Sequence, residues 1–163
     1  MRIDLRTATA DDTRSVGEAI AALFRPRDAV ALTGELGAGK TTLVQGIAHA
    51  LGVTDHVVSP TFTLVREYRG TALEIAHVDV YRLDRMQDVM DLGLDEIADG
   101  EALLLVEWGE AVEALLPADH LTIELTSAGP DTEERAIVVA TAGASWDERA
   151  DPLAAALAPW RAT

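Results

Sequence analysis

Apolar and polar positions along the chain alternate in blocks that spell out an α/β domain. Arg2 to Thr7 read as a short edge strand. Thr9 followed by Asp11 and Asp12 gives a helix start, and Val16, Ala19, Ile20, Leu23 and Phe24 then follow the i, i+3, i+4 rule until Pro26 and Asp28 break it. Ala29 to Thr33 form an uninterrupted apolar run ending at Gly34, the signature of a buried strand that feeds a glycine loop. A helix from about Gly39 to Leu51 comes next, with Leu43, Val44, Ile47, Ala48 and Leu51 on its core face and Gly52 just beyond, where a left-handed stop is favoured.

The period changes to two between Thr63 and Tyr81, with a break at Arg69, Gly70 and Thr71, so this part of the sheet is expected to be an antiparallel hairpin. The acidic stretch Met86 to Gly100 fits one or two short surface helices, and Leu103 to Glu107 a central strand. Gly109 to Leu116 reads as a short helix ended by Pro117. His120 to Thr126 and Arg135 to Thr141 read as strands around an exposed turn, and Trp146 to Trp160 as an alanine-rich terminal helix. No internal repeat or linker interrupts residues 1–163, and the length fits a single domain.

Charge narrows the class of partner. Thirteen Lys and Arg face 28 Asp and Glu, for a net charge of −15, the wrong sign for direct binding to phosphodiester backbones. Any nucleic acid is therefore expected to be reached through another protein. With 48% hydrophobic residues and a mean hydropathy of +0.12, the chain is too apolar for an acidic disordered tail, yet no apolar run reaches the roughly 20 residues of a membrane span. Cysteine is absent and MRIDLR lacks the apolar core of a secretory signal, which points to the cytoplasm.

Every cation but one is an arginine, and the single lysine is Lys40. It lies in GELGAGKT, Gly34 to Thr41, which has the spacing of a phosphate-binding loop between a strand and a helix. Gly34, Glu35, Leu36, Gly37, Ala38 and Gly39 would turn successive N–H groups into one anion-sized concavity. The helix that follows adds the positive end of its dipole. Lys40 can reach the β- and γ-phosphates of a nucleotide, the Thr41 hydroxyl can ligate Mg²⁺, and Thr42 can back up a phosphate contact. A compact ammonium suits that task better than a planar guanidinium.

Such a cradle needs a carboxylate at a neighbouring strand end, and two candidates appear. Glu107 follows Leu103 to Val106, and Asp79 lies in HVDVYR, where alternation puts His77, Asp79 and Tyr81 on one face. His77 is expected to be a hydrogen-bonded core histidine rather than a base, and Trp108 to be packing. His49, His56, His77 and His120 lack metal-ligand spacing. SPTFT, Ser59 to Thr63, is a Pro60-fixed loop flanked by hydroxyls, at a place where many phosphate-loop proteins sense the γ-phosphate.

GELGAGKTTLVQG, SPTFTLVREY, HVDVYRL, LGLDEI and LVEW together resemble, in order and spacing, the bacterial tRNA threonylcarbamoyladenosine biosynthesis ATPase family, TsaE, also called YjeE. The likeness is dense from Gly34 to Trp108 and looser in the flanks. It implies a P-loop NTPase-like three-layer α/β sandwich with a mixed parallel/antiparallel central sheet. It further implies a small ATPase using ATP and Mg²⁺ alongside the TsaB and TsaD proteins, which modify adenosine 37 of tRNAs reading ANN codons. Carried over residue by residue, Lys40 would bind phosphate, Thr41 and Glu107 would hold Mg²⁺, and Asp79 would support metal or water. Ser59, Pro60, Thr61 and Thr63 would form a switch-like loop. Gly109, where the family commonly has proline, departs from the pattern at the entry of the next helix.

Two other readings of the same loop compete. A small-molecule kinase would need a lid with clustered arginines, and the mid-chain pair Arg82 and Arg85 is no such cluster. A GTP switch would carry an Asn-Lys-x-Asp element, whereas this chain has no asparagine.

Overall fold

The apolar run Ala29–Thr33 is strand β2, buried at every residue because it lies in the interior of a seven-stranded sheet. The computed structural model describes residues 1–60, 64–80, 86–91, 93–107 and 115–162. In chain order its elements are β1 (Arg2–Thr7), α1 (Ala10–Ala21), β2, α2 (Lys40–Ala50), β3 (Val65–Arg69) and β4 (Glu74–Asp79). They continue with α3 (Met86–Asp91), α4 (Leu94–Asp99), β5 (Leu103–Glu107), β6 (His120–Ser127), β7 (Arg135–Ala142), α5 (Ala144–Asp147) and α6 (Ala150–Ala156). Strand order is β1-β7-β6-β2-β5-β4-β3. β2 pairs in parallel with β5 and β6, and β4 in parallel with β5, while β3–β4, β6–β7 and β1–β7 are antiparallel. The sheet is mixed, and the hairpin expected after Thr63 is β3–β4.

Each face of the sheet carries its own core. Leu32, Leu103, Leu105 and Ile123 pack under α1 and α2 with Val16, Ile20, Leu43 and Ile47, and Trp146, Leu153 and Leu157 of the C-terminal helices join them. Ala31, Val78, Leu104 and Val106 point the other way and are met by Ile97 and Ala98 of α4. Alternation along β5 thus sends Leu103, Leu105 and Glu107 to the α2 side.

Thr9 caps α1 in a reciprocal box with Asp12: its side chain accepts the Asp12 N–H at 3.1 Å while the Asp12 carboxylate accepts the Thr9 N–H. α1 and α2 cross through two glycines. A side chain at Gly46 would collide with the Arg14 carbonyl, and one at Gly17 with the Leu43 carbonyl. This close crossing fixes α2, and hence the loop before it, against the rest of the core.

The single terminal helix expected over Trp146 to Trp160 is instead two helices and a 3₁₀ turn, Ala158–Trp160. Pro152 sits in the first turn of α6, where its missing N–H costs nothing, but its ring would clash with the Glu148 carbonyl of a continuous helix. Beyond the turn, the chain returns to the sheet edge: Ala162 N–H donates to the Asp4 carbonyl, so part of β1 is covered. The acidic stretch forms two short helices, α3 and α4. Most of the helix expected over Gly109 to Leu116, including its start, lies outside the described residues, as does Trp108. Among the described residues no helix is long and apolar enough to cross a membrane.

Candidate functional site

Three parallel strands end side by side. In the pairing register Leu32 of β2 stands opposite Glu107 of β5, and Glu107 opposite Asp79 of β4, so the loop after β2 and both carboxylates share one edge.

The backbone of that loop is left-handed at three glycines, Gly34 (φ 136°), Gly37 (φ 81°) and Gly39 (φ 104°). At Gly34 a side chain would also strike the Leu125 carbonyl. Gly39 is the N-cap of α2 and supplies no side-chain cap, which leaves the first-turn N–H groups for an anion. Leu36 stands out from the loop, 86% exposed.

Lys40 bends back over this loop. Its Nζ donates to the Gly34 carbonyl at 2.7 Å and the Glu35 carbonyl at 2.9 Å, and the residue is 5% exposed. Burial pushes its pKa below the ordinary lysine value, against the raising influence of Glu107 and Asp79. Those two acids are themselves 3% and 4% exposed. Thr41 Oγ1 lies 3.5 Å from Glu107 Oε1, and Ser59 Oγ donates to Asp79 Oδ2 at 3.2 Å. His77 is fully buried, with Nε2 2.9 Å from Glu107 Oε1. Lys40, Thr41, Asp79, Glu107 and Ser59 are therefore brought together, with His77 behind them as a hydrogen-bonded core residue. Thr42 follows on α2. Thr61 and Thr63 of the switch-like loop lie outside the described residues, as do Tyr81, Arg82 and Arg85.

The described part of that loop is held from three directions. Gln45 Nε2 on α2 donates to the Val57 carbonyl at 3.2 Å, and the buried Tyr68 hydroxyl on β3 donates to the Val58 carbonyl (3.2 Å) and accepts its N–H (3.3 Å). Asp79 then receives Ser59. Leu64 adopts a left-handed φ of 63°, donates to the Pro60 carbonyl at 2.8 Å and accepts the Asp79 N–H at 2.9 Å, tying the loop's far end to the same acid.

Sequence reasoning missed Gln45, Tyr68 and Arg135. Arg135 opens β7, and its guanidinium donates to the Gly37 carbonyl at 3.3 Å. It also lines a cavity of about 460 Å³ beside the loop, with Arg6, Thr7, Ser127 and Glu134. Its only sequence signal was a cation at the start of a strand.

A parallel sheet core, a strand–glycine loop–helix unit and two acids on adjacent strand ends define a P-loop-like α/β protein. Residues 7–137 match the family model described as threonylcarbamoyl adenosine biosynthesis protein TsaE, and the chain belongs to that family. It is 43% identical over 129 residues to the Bacillus subtilis tRNA threonylcarbamoyladenosine biosynthesis protein TsaE, covering 79% of this chain and 80% of that one. The Streptomyces coelicolor protein of the same name is 42% identical over 124 residues, covering 74% and 83%. In three dimensions the chain matches the crystal structure of Bacillus subtilis YdiB with a TM-score of 0.80 and 36% identity, over 95% of both chains.

Proposed function

We propose that this protein is a Mg²⁺-dependent ATPase subunit, active in the cytoplasm, that serves threonylcarbamoyl modification of adenosine 37 in tRNAs reading ANN codons. It acts with TsaB and TsaD, and meets tRNA only through them. The observation that carries the nucleotide reading is Lys40 Nζ, buried against two carbonyls of its own loop and flanked by Asp79 and Glu107. Its ammonium lies over a glycine loop shaped to receive an anion, where a polyphosphate would meet it.

The donor set fits Mg²⁺. Thr41 Oγ1 and the two carboxylates are hard oxygen ligands, and among the described residues no cluster of three or more His, Asp or Glu is built to hold a metal by itself. That is the economy expected where phosphate oxygens and water complete the shell. When bound, Mg²⁺ offsets the charge that builds on the phosphates as the γ-phosphoryl group leaves. Thr41 and Glu107 would hold it, while Asp79 supports metal or orients the attacking water. Lys40 moves from the loop carbonyls to the phosphates, and the N–H groups of Gly37 to Thr42 cradle them. Ser59 ties the loop from Val57 to Pro60 to Asp79, so a shift at that acid is felt by the loop. The cavity beside Arg135 is next to the cradle and has room for the nucleoside half.

The net charge of −15 favours protein partners over direct tRNA contact. The test is phosphate release from Mg-ATP by the chain alone and with TsaB and TsaD added. Slow release that rises on addition is the expected result. Release indifferent to the pair overturns the partnership, and γ-phosphate transferred to a metabolite instead of water overturns the hydrolase reading.

A further inference from the structure

His77 lies two residues before Asp79 on β4, in a position the ATPase reading leaves without a task. Its ring is wholly enclosed, and its two nitrogens differ sharply: Nε2 is 2.9 Å from Glu107 Oε1, whereas Nδ1 has no hydrogen-bond partner among the described residues. An ionised carboxylate only accepts, so the proton between the two groups sits on Nε2. A proton on Nδ1 would be a buried donor with nothing to receive it, which costs more than leaving a bare acceptor there. The surroundings thus select the Nε2–H tautomer.

The acceptor oxygen is the one that also lies 3.5 Å from Thr41 Oγ1. Two groups, one from β4 and one from α2, thus meet at Oε1 of Glu107, and the imidazole makes the shorter contact. We propose that His77 is a positioning residue: its Nε2–H fixes Glu107 in the orientation in which Glu107 and Thr41 together receive the metal of the nucleotide complex. This inference rests on the nucleotide reading above. A carboxylate ligand fixed by an imidazole behind it is held at no entropic cost when the ion arrives, and loss of such a support costs on the order of 10- to 100-fold in metal affinity or activity.

The decisive comparison is His77→Gln with His77→Asn. A glutamine amide nitrogen reaches the place of Nε2, whereas that of asparagine stops at the place of Nδ1 and leaves Glu107 unsupported. Calorimetry of ADP binding with and without Mg²⁺ supplies a readout independent of turnover. In H77N, ADP alone binds as to the unsubstituted protein, while the gain in affinity brought by Mg²⁺ falls roughly 10-fold or more, and ATP turnover falls with a matching rise in KM for Mg-ATP. H77Q recovers most of both. Imidazole ¹⁵N spectra of the nucleotide-free protein show the proton on Nε2. H77Q and H77N equal in Mg²⁺ dependence, or a proton found on Nδ1, would overturn the inference and leave the ATPase reading intact. If the unsubstituted protein binds no Mg-nucleotide, both fall together.

Discussion

Arg149 closes a two-pronged ion pair on Asp28, with Nη1 2.6 Å from Oδ2 and Nη2 2.9 Å from Oδ1, and both residues are buried. The guanidinium also lies 3.6 Å over the Trp146 ring and donates to the Leu23 and Ser145 carbonyls. Asp28 in turn accepts the Arg25 N–H at 2.8 Å, so the pair joins the C-terminal helices to the turn that launches β2. Replacing Arg149 by Met strands a buried carboxylate, which costs about 3–5 kcal/mol. Urea denaturation should show that loss, and adding Asp28→Leu should restore part of it. Recovery of none in the double variant would mean that the arginine contributes through its other contacts.

Lys40 should couple stability to alkaline pH. Its folded-state pKa is lowered by burial from the ordinary lysine value of 10.5, so between the folded value and 10.5 the unfolded chain holds the extra proton and stability rises with pH. Lys40→Met removes that rise. Urea midpoints from neutral pH up to 10.5, compared between the two proteins, should converge or cross in this sense. The same variant should bind nucleotide about 10- to 100-fold more weakly in calorimetry, the loss of a charge-assisted contact worth about 1.5–3 kcal/mol.

Glu107→Gln keeps an oxygen for His77 Nε2–H and Thr41 but removes the negative charge. The expected outcome is a melting temperature within a few degrees of the original and turnover reduced by about 100-fold or more. A large drop in melting temperature would make Glu107 a structural residue.

The crossing of α1 and α2 has no room at Gly46. Gly46→Ala drives a methyl group into the Arg14 carbonyl, and overpacking of this kind costs about 1–3 kcal/mol. For a domain of this size that lowers the melting temperature by roughly 2–10 °C, measurable by scanning calorimetry.

What could be read from the sequence was what a short window encodes. The five buried residues of β2, the apolar face of α2 and the glycine loop between them are contiguous, and each is stabilised by its own period or turn chemistry. The acids Asp79 and Glu107 were visible because each ends an apolar strand, but the register that sets them opposite one another exists only once β4 and β5 pair. Arg135 and Gly37 are 98 positions apart, and His77 and Glu107 are 30 apart; no local pattern connects either pair. Tyr68 looked like one more strand residue because its hydroxyl bonds to the backbone of Val58, and backbone acceptors carry no side-chain signature. The alanine content of residues 146–160 favours one unbroken helix, and it is the ring of Pro152 that decides the break.

Having one lysine gives this protein an internal gauge. Apart from the terminal α-amine, an acylating reagent finds a single amine, that of the buried Lys40, which donates to the Gly34 and Glu35 carbonyls. Intact-mass spectrometry would therefore count one slow internal modification, whose rate measures how often the loop releases its ammonium to solvent. Any ligand or partner protein that seals or pries open the loop writes its effect into that one mass increment.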